Sequence, residues 1–178
     1  VSDLMPLLKA RWLADRESMT IVGPVGTRDL VSGLLEVHEY MQGRIDLTVR
    51  DIGPGSATVA GFDIEAMETR HSMPCLAYRI DDSLAISGDT DAFDALIDFV
   101  EPADVLVHDC SFPDGIDVSN HPTPDRLGDV LADHSFETVY LTHLYPHTDG
   151  KHEEMIASIG ETYEGDVEFA HDGLTVEV

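Results

Sequence analysis

The period of the apolar positions changes along this chain, and each change predicts a new kind of element. In DLMPLLKARWLA (3–14) apolar residues recur at helical spacing, with Pro6 tolerated in an opening turn. MTIVGP (19–24) reads as a short strand closed by Gly-Pro. TRDLVSGLLEVHEYM (27–41) reads as a second amphipathic helix, with Thr27 placed to cap it and Gly43 to stop it. From Ile45 to Ile86 the period shortens to that of strands, in IDLTVRDI, ATVAGFDIEAMET, CLAYRI and SLAIS, with GPG and DD as turns. DAFDALIDFV (91–100) returns to helix. ADVLVHDC (103–110) and ETVYLTHL (137–144) are apolar enough for buried strands, and TPDRLGDVLADHS (123–135) and KHEEMIASIGETY (151–163) for helices. DVEFAHDGLTVEV (166–178) predicts a terminal hairpin around Asp172-Gly173. The order is helix–strand–helix, then a β-meander, then alternating strand and helix. It implies one layered α/β domain over residues 1–178 with a mixed sheet.

Composition narrows the setting. Of 178 residues 43% are hydrophobic, enough for a real core, and no apolar run approaches the length of a membrane span. Acidic residues number 35 against 10 basic, a net charge of −25, and lysine occurs only at positions 9 and 151. The charges are spread among apolar segments rather than gathered in a tail, which describes an acidic, hydrated surface suited to a salt-loving cell. At about 1 M salt the Debye length is about 3 Å, so this charge does not exclude a nucleic-acid substrate. Cys75 and Cys110 sit in apolar runs, as free thiols of a cytoplasmic protein do.

Several strands end on polar residues that periodicity does not explain: His71 after IEAMETR, Asp89 after LAISG, His108-Asp109 after VLV, and His143 after VYLT. Ligands of α/β sheets gather at strand ends, where loops converge and backbone groups are free. A carboxylate and imidazoles meeting there suit a cation such as Zn²⁺ or Mn²⁺. Taken singly, each is as well explained as a turn or structural residue, and His38, His134 and His152 read as solvated on helix surfaces.

Together, HSMPCLAYRI (71–80), AISGDT (85–90), DVLVHDCSF (104–112), NHPTPDRLGDVL (120–131) and VYLTHLYP (139–146) resemble, in order and spacing, five blocks of the metallo-β-lactamase-fold hydrolases, in the branch related to ribonuclease Z. The resemblance implies an αββα sandwich whose first strands precede Val1. It also implies a dinuclear Zn²⁺ site that hydrolyses phosphodiesters or other small esters, with RNA among the substrates. His71 matches a ligand of the first metal, Asp89 the carboxylate bridging both, and His143 a ligand of the second. HDCS (108–111) resembles the HEAT segment of ribonuclease Z, with Asp109 in place of glutamate. His121 matches the histidine that this acid orients and that protonates the leaving oxygen. Family members are often homodimers, which makes a second copy of the chain a candidate partner.

Two departures bear on function. The family's His-x-His-x-Asp-His motif is absent, and in relatives it comes just before a stretch like SDLMPLLKARWLA. The chain is therefore expected to be the C-terminal portion of the fold. The alternative is a non-catalytic binding domain, or an incompetent fragment, that retains the fold. Only 17 residues separate His71 from Asp89, which leaves no room for a long basic tRNA-gripping arm. A compact phosphodiesterase-like hydrolase fits at least as well as tRNA maturation.

The charge makes a direct prediction. Self-repulsion at −25 opposes compaction when unscreened. The melting temperature should therefore rise from dilute buffer to molar potassium chloride; a melting temperature indifferent to salt contradicts the halophilic reading.

Overall fold

Helical periodicity at the start of the chain does produce a helix, α1 (Leu4–Leu13), in a computed structural model that describes residues 3–16 and 18–178. Two compact units follow the chain order, Val1–Gly53 and Pro54–Val178. In the first, β1 (Ser18–Pro24) and β2 (Asp46–Ile52) pair in parallel, joined through α2 (Thr27–Val37). Its core is Leu8, Met41 and Ile45, with Trp12, Met19, Ile21, Leu35 and Leu47 packed around them. The helix expected over 27–41 stops at Val37. His38 leaves helical geometry (φ −108°, ψ 56°), and Glu39–Met41 form a 3₁₀ turn.

The second unit is a seven-stranded mixed sheet: β3 (Gly55–Val59), β4 (Phe62–Glu68), β5 (Leu76–Ile80), β6 (Leu84–Ile86), β7 (Val105–Asp109), β8 (Thr138–Thr142) and β9 (Val167–Phe169), in that order across the sheet. β3 to β6 pair antiparallel, and β6 to β9 parallel. The run ATVAGFDIEAMET is two strands rather than one. Ala60 and Gly61 both take positive φ and make a two-residue hairpin turn between Val59 and Phe62. The predicted terminal hairpin does not form. β9 instead joins the free edge of β8, where Val139 N–H meets Asp166 C=O and Ala170 N–H meets Leu141 C=O. After Gly173 the chain carries no strand. Its Leu174, Val176 and Val178 line a groove with Val105, Val107 and Tyr140 of the sheet.

Three helices cover the other face: α3 (Asp94–Val100), α4 (Pro124–Leu131) and α5 (His152–Ile159). Ala77, Ala85, Leu106, Val139 and Leu141 from the strands pack against Leu96, Ile97, Val100, Leu127, Leu131, Met155 and Ile159 from the helices. No helix among the described residues is long and apolar enough to cross a membrane.

Alternation along β7 puts His108 on the helix-covered face with Leu106, and Asp109 on the other. His108 is fully buried; its Nδ1 bonds the Asp109 carbonyl, and its Nε2 has no partner among the described residues. Desolvation lowers its pKa below the ordinary 6.5, against the opposing pull of Asp109 and Asp91. The folded chain therefore binds this proton less readily than the unfolded chain, and stability is lost as pH falls below 6.5. Relative to the parent, His108→Leu should gain up to roughly 1.4 kcal/mol per unit fall in pH below that point. Urea denaturation at pH 7.5, 6.5 and 5.5 checks this; a constant difference would show that His108 does not carry it.

Candidate metal centre

Sheet direction brings the polar strand ends together. β4 is antiparallel to β5, and β5 to β6, so β4 runs with β6 and with the parallel β7 and β8. The segments leaving all four strands therefore emerge at one sheet edge. His71 follows β4, Asp89 follows β6, Asp109 closes β7 and His143 follows β8. His121 arrives on the loop that leads into α4, whose Pro124 supplies the fixed φ of a first helical residue.

The side chains meet closely. His121 Nδ1 lies 2.6 Å from Asp109 Oδ2, so the one-methylene-shorter acid does reach its imidazole. His143 Nδ1 is 3.6 Å from Asp109 Oδ2 and 3.7 Å from Asp89 Oδ1. The His71 and His121 rings are 5.3 Å apart, and those of His121 and His143 5.2 Å. Asp109 is wholly buried and His121 nearly so, whereas His143 and Asp89 remain open to solvent. One ligand atom each from Asp109, His121 and His143 falls within 4.8 Å of the others, a set that could hold a metal ion. It shares only His143 with the expected trio of His71, Asp89 and His143. Asp89 adds a second carboxylate at the rim, and His71 stands beyond His121, accepting a 3.3 Å bond from Met73 N–H. Imidazole and carboxylate donors with open approach fit a borderline divalent cation.

His143 itself sits at φ +59°, an uncommon conformation for a residue with a Cβ. Cys110 N–H bonds Thr142 C=O and Tyr145 N–H bonds Ser111 C=O, so the β7–β8 pairing resumes on both sides of it.

Sequence reading did not assign Ser111, although it lies in the HDCS block. It is fully buried among Asp109, His121 and His143. It also passed over the aromatic wall of Phe112 and Tyr145, stacked at 4.7 Å, with Tyr145 5.5 Å from His143. His147 lies 5.4 Å from Phe112 on this wall. His134 is not solvated as expected: its imidazole is mostly buried, with Nδ1 3.1 Å from Glu101 Oε1, because the chain leaves α4 at Leu131 and turns back towards α3. Both cysteines are free, and burial with nearby carboxylates pushes the Cys110 thiol far up, leaving it unreactive.

No protein-family model matches the chain. Ribonuclease Z of Myxococcus xanthus is 34% identical over 99 residues, 53% of this chain and 32% of that protein. Ribonuclease Z of Halobacterium salinarum is 30% identical over 100 residues, 54% and 32% respectively. The matched segment thus spans about a third of these relatives. Among solved structures, the metallo-β-lactamase-fold protein YhfI from Bacillus subtilis superposes with a TM-score of 0.77 at 23% identity, over 97% of this chain and 70% of that one. Zinc-bound PqqB from Methylobacterium extorquens superposes with 0.66 at 17% identity, over 97% and 66%. This chain has the metallo-β-lactamase fold, and over about half its length its sequence is similar to ribonuclease Z.

In this metallo-β-lactamase fold, one glycine sets the place of Asp89. Gly88 takes φ +62°, and a Cβ there would lie 2.9 Å from both Cys75 Sγ and the Leu76 carbonyl oxygen. Only glycine lets the turn after β6 pass this close to β5. Gly88→Ala should lower the unfolding free energy by at least about 1 kcal/mol from the left-handed backbone alone, with more from the contact. An unchanged urea midpoint would contradict this account of the turn.

Proposed function

We propose that this chain carries the active site of a metal-dependent hydrolase of phosphodiester bonds. The observation that supports it is the meeting of Asp89, Asp109, His121 and His143, with His71 beside them, at the edge where β4, β6, β7 and β8 end. His71, Asp89 and His143 are the proposed metal ligands, with Asp89 shared between two cations, Zn²⁺ or alternatively Mn²⁺. When bound, such cations polarise phosphoryl oxygens and lower the pKa of water enough for attack near neutral pH.

The chain's own residues do the rest. Asp109 holds the His121 ring by its Nδ1 from a fully buried position, leaving the opposite nitrogen, Nε2, to face the substrate. There His121 is the proton donor to the departing alkoxide. Phe112 and Tyr145 wall this side and exclude water from the leaving group. The reaction class follows from this pairing: a poor leaving oxygen needs a proton, and the acid–imidazole pair delivers one. Ribonuclease Z relatives make RNA one substrate to try. A small diester is the other, since no basic arm lies between His71 and Asp89.

The test uses the whole gene product in molar potassium chloride, assayed on a chromogenic phosphodiester and on a structured RNA with added zinc or manganese. Asp89→Ala should abolish hydrolysis and lower the bound metal. Full metal occupancy with normal turnover would overturn its bridging role. His121→Ala should lower kcat about 10²–10⁴-fold on an alkyl diester and much less on a nitrophenyl diester, whose leaving group needs no proton. Equal losses on both would remove His121 as the acid. Metal binding by the parent with no hydrolysis of either substrate would favour the non-catalytic binding domain.

A further inference from the structure

Ser111 donates and accepts at the centre of this cluster, and its single hydroxyl hydrogen decides how the neighbouring imidazole is used. Its Oγ lies 2.6 Å from Asp109 Oδ1, 3.0 Å from His143 Nδ1 and 3.4 Å from His121 Nδ1. A carboxylate oxygen only accepts, so the hydroxyl hydrogen goes to Asp109. Towards His143 the same oxygen has only lone pairs left. His143 Nδ1 must therefore carry the hydrogen of that bond. Among the described residues no other acceptor competes for it, since Asp89 Oδ1 at 3.7 Å and Asp109 Oδ2 at 3.6 Å lie beyond hydrogen-bond length.

We propose that Ser111 is a positioning residue which, anchored on the buried Asp109, holds His143 in the Nδ1–H form and presents its bare Nε2 to the metal. The inference rests on the reading of His143 as a metal ligand and adds the group that makes it one. A ligating histidine needs a fixed partner on its other nitrogen, and here a hydroxyl relays the carboxylate to it. The backbone explains why a serine can do so. The Cys110–Thr142 and Ser111–Tyr145 bonds clamp positions 111 and 143 in one register, so a short side chain spans the gap. One carboxylate then organises both imidazoles: Oδ2 holds His121 directly, and Oδ1 holds His143 through Ser111.

Nitrogen-15 spectra of the histidine rings read the tautomer directly, without any turnover. In the metal-free whole gene product at about pH 8, His143 should show a protonated Nδ1 and a bare Nε2. In Ser111→Ala its population should move towards the Nε2–H form that free imidazole side chains favour. Zinc affinity, measured by competition with a chelating dye, should fall about 10–100-fold, and Ser111→Thr, which keeps the hydroxyl, should restore both. A bare Nδ1 in the parent overturns the proposal, and this measurement stands even where Ser111→Ala does not fold. So does a Ser111→Ala protein with unchanged tautomer, or with an altered tautomer and unchanged zinc affinity. A protein that shows the expected tautomer and zinc response but hydrolyses no diester removes the hydrolase reading and leaves this one standing. Full hydrolysis with a tautomer indifferent to Ser111 does the reverse.

Discussion

A buried carboxylate has to be satisfied by the protein around it, and the edge of this sheet is arranged around one. Asp109 has no solvent exposure. Its Oδ1 accepts from Ser111, and its Oδ2 accepts from Thr90 N–H at 3.2 Å and from His121. Its own N–H donates to Ser87 Oγ at 2.9 Å. These partners come from the end of β6, the end of β7 and the loop before α4, and the Ser111 hydroxyl extends the network to the end of β8. A charge left unpaired in such a place costs several kcal/mol. The four segments are therefore tied to one another through a single group.

The same constraint separates the two sides of β7. Asp109 points to the edge where approach from solvent is open at Asp89 and His143, while His108 and Cys110 face the helices. Both inward groups are pushed towards their neutral forms by burial, the imidazole by a lowered pKa and the thiol by a raised one. Within HDCS, histidine and cysteine are the residue types that most readily attract a chemical role. In this fold they are packing, and the aspartate and serine between and after them make the network.

Charge sets the conditions under which such a centre works. A net charge of −25 repels an anionic diester in dilute buffer, and two of the carboxylates that make it up, Asp89 and Asp109, sit at the centre itself. Cations reverse that balance locally and salt screens it globally. Chemistry on an anion by this chain is thus consistent only when both are supplied.

Local pattern carried most of the elements, because helical and strand periods depend on neighbours a few residues apart. His71, Asp89, Asp109 and His143 were visible as unexplained polar residues at or near strand ends, whereas His121 was legible only through the ordered blocks that resemble a known family. Two misjudged elements failed for different reasons. The Ala60-Gly61 break was written in the chain, since a glycine in mid-strand marks a turn. The lost terminal hairpin was not, because the choice between folding back after Asp172-Gly173 and adding to β8 depends on an open sheet edge that no local window contains. Ser111 belongs with the latter. Its residue type says only that a hydroxyl is present. Which atom it donates to, and which imidazole it leaves poised, is decided by the register of β7 against β8. That register brings residues 32 positions apart in the chain within 3.0 Å of each other.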